Sequence, residues 1–448
     1  MLGHRDLFWD GGGWTQSPVV LGAWCAVLVL VALGVWTRAA AAVNLVLTVV
    51  VLHALAEEGM PETADATTIL CALLVLVLPT GRGWTVHRRR CDHLVPATVP
   101  AVAAIVLATI YLDSGLRKLA SPMWREGLGM WTASSLPEWI QHPIPGMDVE
   151  LLAQLAGWGT IAWELSFGLV WFLAPRLRPL VWGAGFVFHL GGFVFFGFET
   201  FSLVMLCLHV LATPPAVAAA VSRPERETSW LPRRAVAAGV GVWLELHAVV
   251  LLDVGADPGS WRADAARFPQ EHLGRYGVTN YGVFGDSLFS GQTFQLDVVW
   301  GAPGRCVAGP WHGPEGRERR WLRDRLWEHW TKRTQLWYTA RPTAEANLAR
   351  WIRYVEPAVP RGLRGQAVLL ARPQTASTER FRPGLLDANS AAPWRPVGTV
   401  TSGAVRWAAP APPTATLAAQ VDAALAAGAR VWPRERCRTA EPGFSLPL

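Results

Sequence analysis

The sequence predicts an all-α polytopic membrane helical bundle of about eight spans, with a C-terminal extracytoplasmic α+β domain. Three observations predict it. The 448-residue chain is 51% hydrophobic and only 17% charged, where a soluble globular protein carries about 25% charged residues. The long apolar runs fall within residues 1–254, and residues 255–448 have ordinary mixed composition. Arginines cluster in alternate loops between the runs, the distribution that fixes membrane orientation. The net charge of +6 is therefore a topology signal. The basic runs are too short to argue for a nucleic-acid partner.

The apolar segments lie at about 18–36, 43–56, 66–80, 97–113, 151–173, 180–197, 201–213 and 235–253. A straight span needs roughly 20 residues, so the second, third and seventh are expected to be tilted, re-entrant or extended by their flanks. If the segments alternate, Arg38, then Arg82 and Arg88 to Arg90, then Arg176 and Arg178, then Arg223, Arg226, Arg233 and Arg234 share one side. That side reads as cytoplasmic. Glu57, Glu58, Glu62, Asp65, the 114–150 loop and Glu199 fall on the other. The amino terminus and residues 255–448 are then expected outside an inner cell membrane. Met1 to Gln16 shows no cleavable signal pattern, so the first span is expected to drive insertion.

The outer half starts after Asp257-Pro258-Gly259. Thr293 to Trp300 alternates and predicts a strand, as does Gln366 to Ala371. Helices are predicted over Glu315 to Trp337, Ala344 to Val355 and Thr414 to Ala427, the last after the break at Pro410, Pro412 and Pro413. Cys25, Cys71 and Cys207 lie in apolar runs and read as packing residues. Cys91 follows an arginine run. Cys306 and Cys437 are the two cysteines of the outer half and would pair if it faces an oxidising compartment.

Chemistry concentrates where the fourth run meets a polar, Trp-rich loop, at Tyr111-Leu-Asp-Ser114-Gly115-Leu-Arg-Lys118-Leu119, followed by Pro122, Trp124 and Gly127. A lysine near hydrocarbon costs roughly 2.5–3.5 kcal/mol on insertion scales. Such a lysine often only snorkels to the interface. Tyr111, Ser114 and Lys118, however, share a helical face by their spacing, and Gly115 lets a helix or flat ligand approach. A partly buried lysine can become a neutral amine and a base. Glu164, in Ile161-Ala-Trp-Glu164-Leu-Ser-Phe-Gly168, needs a partner or a proton at such depth. His189, in Phe186-Val-Phe-His189-Leu-Gly191-Gly192, has glycines beside it that leave room for a ligand. Each of the two is equally readable as a structural hydrogen-bonding group. His53, His209 and His247 sit among plain apolar residues and read as packing. No HExxH, GxGxxG or P-loop motif occurs, and no metal site is expected.

These residues resemble a known family. Tyr111-Leu-x-x-Gly115-Leu-x-Lys118-Leu119, with Trp124 and Gly127, is similar to a stretch of vitamin K-dependent gamma-carboxylase and of the wider bacterial membrane domain named HTTM. Glu164-Leu-Ser-Phe-Gly168-Leu resembles the family's acidic residue before Leu-Ser-x-Gly. Phe188-His189, then Phe201-Ser202-x-x-Met205 and Pro214, resembles its later histidine helix and Phe-Ser turn. The resemblance covers roughly 18–254, and its specificity lies in the order and spacing of the motifs. Two departures stand out. The family's first span is missing, either absent from this chain or upstream of it. Arg82 and Gly83 occupy the place of a functional histidine. Tyr276 to Phe284 resembles the segment that follows the membrane domain in bacterial relatives.

The resemblance implies that Lys118 deprotonates a reduced vitamin K-type quinone (menaquinol-like), whose oxygenation by O2 yields a base strong enough for CO2 to be added to a substrate carbanion. It implies catalytic roles for Lys118, Glu164 and His189, and a cofactor site including Tyr111, Ser114, Gly115, Trp124 and Gly191. The implied partners are the lipid bilayer, a lipid quinone and a secreted peptide. A carboxylase-like lyase is one reading of the chain. A non-catalytic membrane factor for maturation or export of a secreted peptide, docking through the Trp-rich 315–355 region, is the other.

Overall fold

The computed structural model of the chain describes residues 18–57, 63–77, 98–214, 233–274, 293–308, 359–409 and 417–439, apart from residues 34, 197–198, 258, 304, 366, 402–403 and 428–429, together with the single positions 217, 279, 281, 289, 345 and 348. The helical region runs α1 (Pro18–Ala32), α2 (Thr37–Glu57), α3 (Thr63–Val77), α4 (Thr98–Ala120), the short α5 (Pro122–Arg125) and α6 (Gly129–Ser134), α7 (Glu150–Leu173), α8 (Arg178–Phe195), α9 (Glu199–Leu211), α10 (Arg233–Val250) and α11 (Trp261–Leu273). Each apolar run of the sequence falls on one of these helices.

The expected bundle of about eight spans is not what the structure gives. Among the described residues two helical stretches, Val99–Ala120 and Pro175–Phe195, are long and apolar enough to cross a membrane. The apolar stretches Gly22–Ala32, Thr37–His53, Ala64–Val77 and Phe201–Leu211 are shorter. At about 1.5 Å of rise per residue, 17 residues reach only some 25 Å of the roughly 30 Å hydrocarbon core. Apolar runs set the expected count, whereas a span needs length and sustained hydropathy in one helix, and among the described residues only those two stretches combine them. The C-terminal part carries a six-stranded sheet together with helices.

Helix α4 forms the centre of the helical region. Ala103, Leu107, Ile110 and Tyr111 are buried against Phe167, Trp171, Met205 and Leu208. It pairs antiparallel with α7, as small residues show at two levels. A Cβ on Gly168 would stand 3.3 Å from that of Ala108, and a Cβ on Gly115 would stand 2.9 Å from the Leu165 side chain and 3.2 Å from Glu164 Cβ. Glycine at 115 thus sets how closely the helices approach. After α4 the chain turns sharply. Ser121 Oγ caps α5 by accepting from Trp124 N at 3.3 Å, with Pro122 in the first turn. Gly127 has φ 76°, and its carbonyl lies where a Cβ on Gly157 would be, 2.5 Å away. The loop is thereby seated on α7. Of the free cysteines, Cys71 packs against the core around α4, whereas Cys25 and Cys207 are exposed rather than packed.

The sheet contains β1 (Phe294–Ala302), β2 (Arg305–Ala308), β3 (Ala367–Pro373), β4 (Arg395–Val400), β5 (Val405–Trp407) and β6 (Arg438–Thr439), in the order β5-β4-β3-β1-β2-β6. Neighbours are antiparallel except β2 and β6. The period-two pattern of β1 places Phe294, Leu296, Val298 and Trp300 on one face, with Ala367, Leu369, Ala371 and Val397 and with Val421 of a helix at Leu417–Ala426. The other face is also buried and mixes an apolar cluster of Val299, Leu370, Ala308 and Trp394 with polar side chains. Arg434 Nε donates to Asp297 Oδ2 at 2.6 Å. Arg372 donates to Gln295 Oε1 and the Ser390 carbonyl, both at 2.7 Å, and lies 4.7 Å above the Trp394 ring. Burial pushes Arg372 down to about 10, against the opposing charges of Glu138 and Asp297.

This domain rests on the α5–α6 segment. Thr132 Oγ1 donates to the Ser377 carbonyl at 2.9 Å, Asn389 Nδ2 donates to the Ser135 carbonyl at 2.9 Å, and Gln374 Nε2 donates to Glu138. The sheet and the Lys118 end of α4 are therefore on the same side. A disulfide joins Cys306 of β2 to Cys437, across 131 residues of sequence. Replacing both cysteines with serine is expected to lower stability by about 2–5 kcal/mol. Thermal unfolding with and without reductant checks this, and reductant should not affect the double variant.

Candidate functional site

Lys118 is only 5% exposed and Glu164 4%. The antiparallel pairing of α4 and α7 brings them together. Lys118 Nζ donates to Glu164 Oε1 at 2.8 Å and Oε2 at 2.9 Å, and its third donor goes to Ser114 Oγ. Ser114 Oγ in turn donates to Glu164 Oε1 at 3.2 Å. An ammonium has three donors and no acceptor, and all three are used here. The amine is therefore held on the carboxylate and the serine with no hydrogen-bonding direction left over. Trp124, fully buried, closes the cluster with its ring centroid 5.1 Å from Nζ. A Cβ on Gly129 would lie 2.1 Å from the Trp124 ring, so glycine at 129 admits the indole.

About two turns down α4, Tyr111 forms a second cluster. Its hydroxyl lies 2.8 Å from His189 Nε2 on α8 and 3.2 Å from His209 Nε2 on α9. Trp163 and Phe167 of α7 wall the tyrosine ring at 4.5 and 4.9 Å between centroids. Sequence reasoning missed His209, whose neighbours are apolar. Gly185 makes room for it, since a Cβ there would lie 2.3 Å from His209 Nε2. Gly191, expected near the site, is about 200° round α8 from His189. A Cβ there would meet nothing within 4 Å. Gly115 contributes helix packing as described above. His189 does not touch Lys118; it belongs to the second cluster, around Tyr111.

A third cluster was not singled out in the sequence. Asp113 is completely buried and accepts from Arg117 Nε at 2.8 Å and from the Tyr281 backbone N–H. Arg117 also reaches Asp253 Oδ1 at 2.6 Å, and Gln270 Nε2 donates to Asp253 Oδ2 at 2.8 Å. This network ties the helix carrying Lys118 to α11. Arg82, Gly83 and the 315–337 stretch lie outside the described residues, as do most of 344–355 and 276–284.

A shallow, widely open apolar groove lies on the outer surface of α8, lined by Pro179, Leu180, Gly183, Ala184, Val187 and Phe188. The Phe188 ring meets His189 at 5.2 Å and Trp163 at 5.1 Å between centroids, so the groove ends against the wall of the second cluster. Among the described residues no group of three or more His, Cys, Asp or Glu is placed to hold a metal. No family model, no curated protein and no solved structure matches the chain.

Proposed function

We propose that the chain is a membrane enzyme related to vitamin K-dependent gamma-carboxylase, in which Lys118 is the base toward a reduced lipid quinone and the acceptor is a peptide or small molecule at the outer face. The observation that carries this reading is the buried Lys118–Glu164–Ser114 cluster beneath Trp124. Burial weakens solvent screening, so a proton shift from Nζ to the touching Glu164 carboxylate removes both charges at once. Nζ then carries a lone pair and can take a hydroxyl proton. Ser114 accepts from Nζ in the ionic state and donates to Glu164, which keeps the amine aligned throughout. Trp124 keeps water away.

The residues present suit a lipid quinone. Leu180, Val187 and Phe188 of the apolar groove would hold its tail, and the groove ends beside His189 and Trp163. A bound quinol supplies an acidic hydroxyl and a reservoir of electrons for oxygen chemistry. The proposed location is the inner cell membrane, multi-pass, with the C-terminal domain outside. Two features support it. The Cys306–Cys437 bridge suits an oxidising compartment. The antiparallel course of α4 and α7 puts Arg176 and Arg178, which follow α7, at the end of α4 away from Lys118.

Protein purified from membranes containing menaquinone is expected to retain it through detergent washing, as read by solvent extraction and chromatography. Introducing glutamine at Leu180 and Val187 should strip it. Equal quinone in the native protein and that variant contradicts the reading.

A further inference from the structure

The hydrogen bonds around Tyr111 have only one self-consistent arrangement with neutral imidazoles. His209 Nδ1 lies 2.9 Å from the Met205 carbonyl. A carbonyl only accepts, so Nδ1 carries the proton and Nε2 the lone pair. The Tyr111 hydroxyl must then donate its one proton to His209 Nε2, at 3.2 Å. Its remaining contact, to His189 Nε2 at 2.8 Å, has to run the other way, with His189 donating. His189 is thus the Nε2–H tautomer, and its lone pair is on Nδ1.

A comparison within the chain supports this. His209, His247 and His272 each place Nδ1 on the carbonyl four residues back, at 2.9, 3.2 and 2.9 Å. His189 sits in α8 with a carbonyl equally available at Gly185, yet makes no such bond. Among the described residues its Nδ1 makes no hydrogen bond, although the side chain as a whole is only 3% exposed.

We infer that Tyr111 and His209 are positioning residues that hold His189 in the Nε2–H tautomer and keep its Nδ1 lone pair as an acceptor for a hydroxyl-bearing lipid. The aromatic walls, Phe188, Phe201 and Trp163, suit a flat ring attached to that hydroxyl. This inference deepens the quinol reading and rests on it for the identity of the ligand. It gives a reduced quinone a second proton acceptor besides Lys118. The transfer balances along the chain. An N–H bond forms at His189 Nδ1 as the ligand O–H breaks. The His189 Nε2 proton passes to Tyr111 Oη, the Tyr111 proton passes to His209 Nε2, and the cation ends on His209.

The test is 15N NMR of ring-labelled histidine in lipid bilayers, with the His189 signals assigned as those lost in His189→Phe. The native protein should show His189 protonated at Nε2 and bare at Nδ1. In His209→Leu the tyrosine proton has no acceptor at position 209 and turns to His189, which should switch to Nδ1–H. In His209→Gln the carboxamide oxygen restores an acceptor, and His189 should return to Nε2–H. Tyr111→Phe keeps the ring packing, removes only the hydroxyl, and should also give Nδ1–H. A native His189 protonated at Nδ1, or a tautomer unchanged in His209→Leu and Tyr111→Phe, overturns the inference. Menaquinol turnover should fall on the order of 10²-fold in His209→Leu and recover in His209→Gln. Expected tautomers with no turnover even in native protein would sink the quinol reading and leave the tautomer assignment standing.

Discussion

Lys118→Ala is expected to cost about 3–5 kcal/mol of stability as well as activity, because it leaves the Glu164 carboxylate buried without its counter-charge. Against a total of roughly 5–15 kcal/mol, that loss endangers the fold. Inactivity of this variant alone would therefore prove little. The informative partner is Lys118→Met with Glu164→Leu. Replacing both members of a buried pair by apolar groups of similar volume is commonly neutral or stabilising. The double variant should recover the melting temperature and stay inactive. Ser114 would keep a weak role, since its hydroxyl can turn back to a backbone carbonyl of α4. If the single variant melts like the native protein, the two groups are not the dry pair that the 5% and 4% exposures describe.

Gly129→Ala carries the second large effect. The added Cβ would stand 2.1, 2.3 and 2.5 Å from three atoms of the Trp124 indole. The ring is fully buried and cannot step aside without opening the cover over Lys118. Overpacking of this kind costs about 1–3 kcal/mol, and activity should fall with it. Gly159→Ala is the control, because its Cβ would meet nothing within 4 Å on the exposed side of α7. That change should stabilise by about 0.5–1 kcal/mol. Thermal melts of the two variants side by side should move in opposite directions. A Gly129→Ala protein as stable and active as the native one would mean that Trp124 does not close the site.

Much of the helical layout was legible because an apolar run and the helix that buries it share the same residues. The number of spans was not, because helices such as α9 are too short for a bilayer whatever their composition. The Lys118–Glu164 meeting was foreshadowed by two ionisable groups in apolar runs, each needing a partner. His209 was hidden, since nothing local marks a histidine whose partner is 98 residues away in sequence. Asp113 was hidden for a different reason. Its partner Arg117 one turn on makes it read as an ordinary surface pair, and only the tertiary contacts, of Arg117 to Asp253 and of Asp113 to the Tyr281 N–H, set it apart from one. The cysteine bridge was legible as an option, because the outer half holds no third cysteine to compete.

The central claim is that the amine of Lys118, in contact with Glu164, removes a proton from a reduced lipid quinone. It is tested most directly by oxygen uptake in liposomes carrying menaquinol, comparing the native protein with the Lys118→Met, Glu164→Leu double variant at matched folded amounts. Menaquinol-dependent uptake is expected from the native protein, and none above empty liposomes from the double variant. Equal uptake by the two would contradict it.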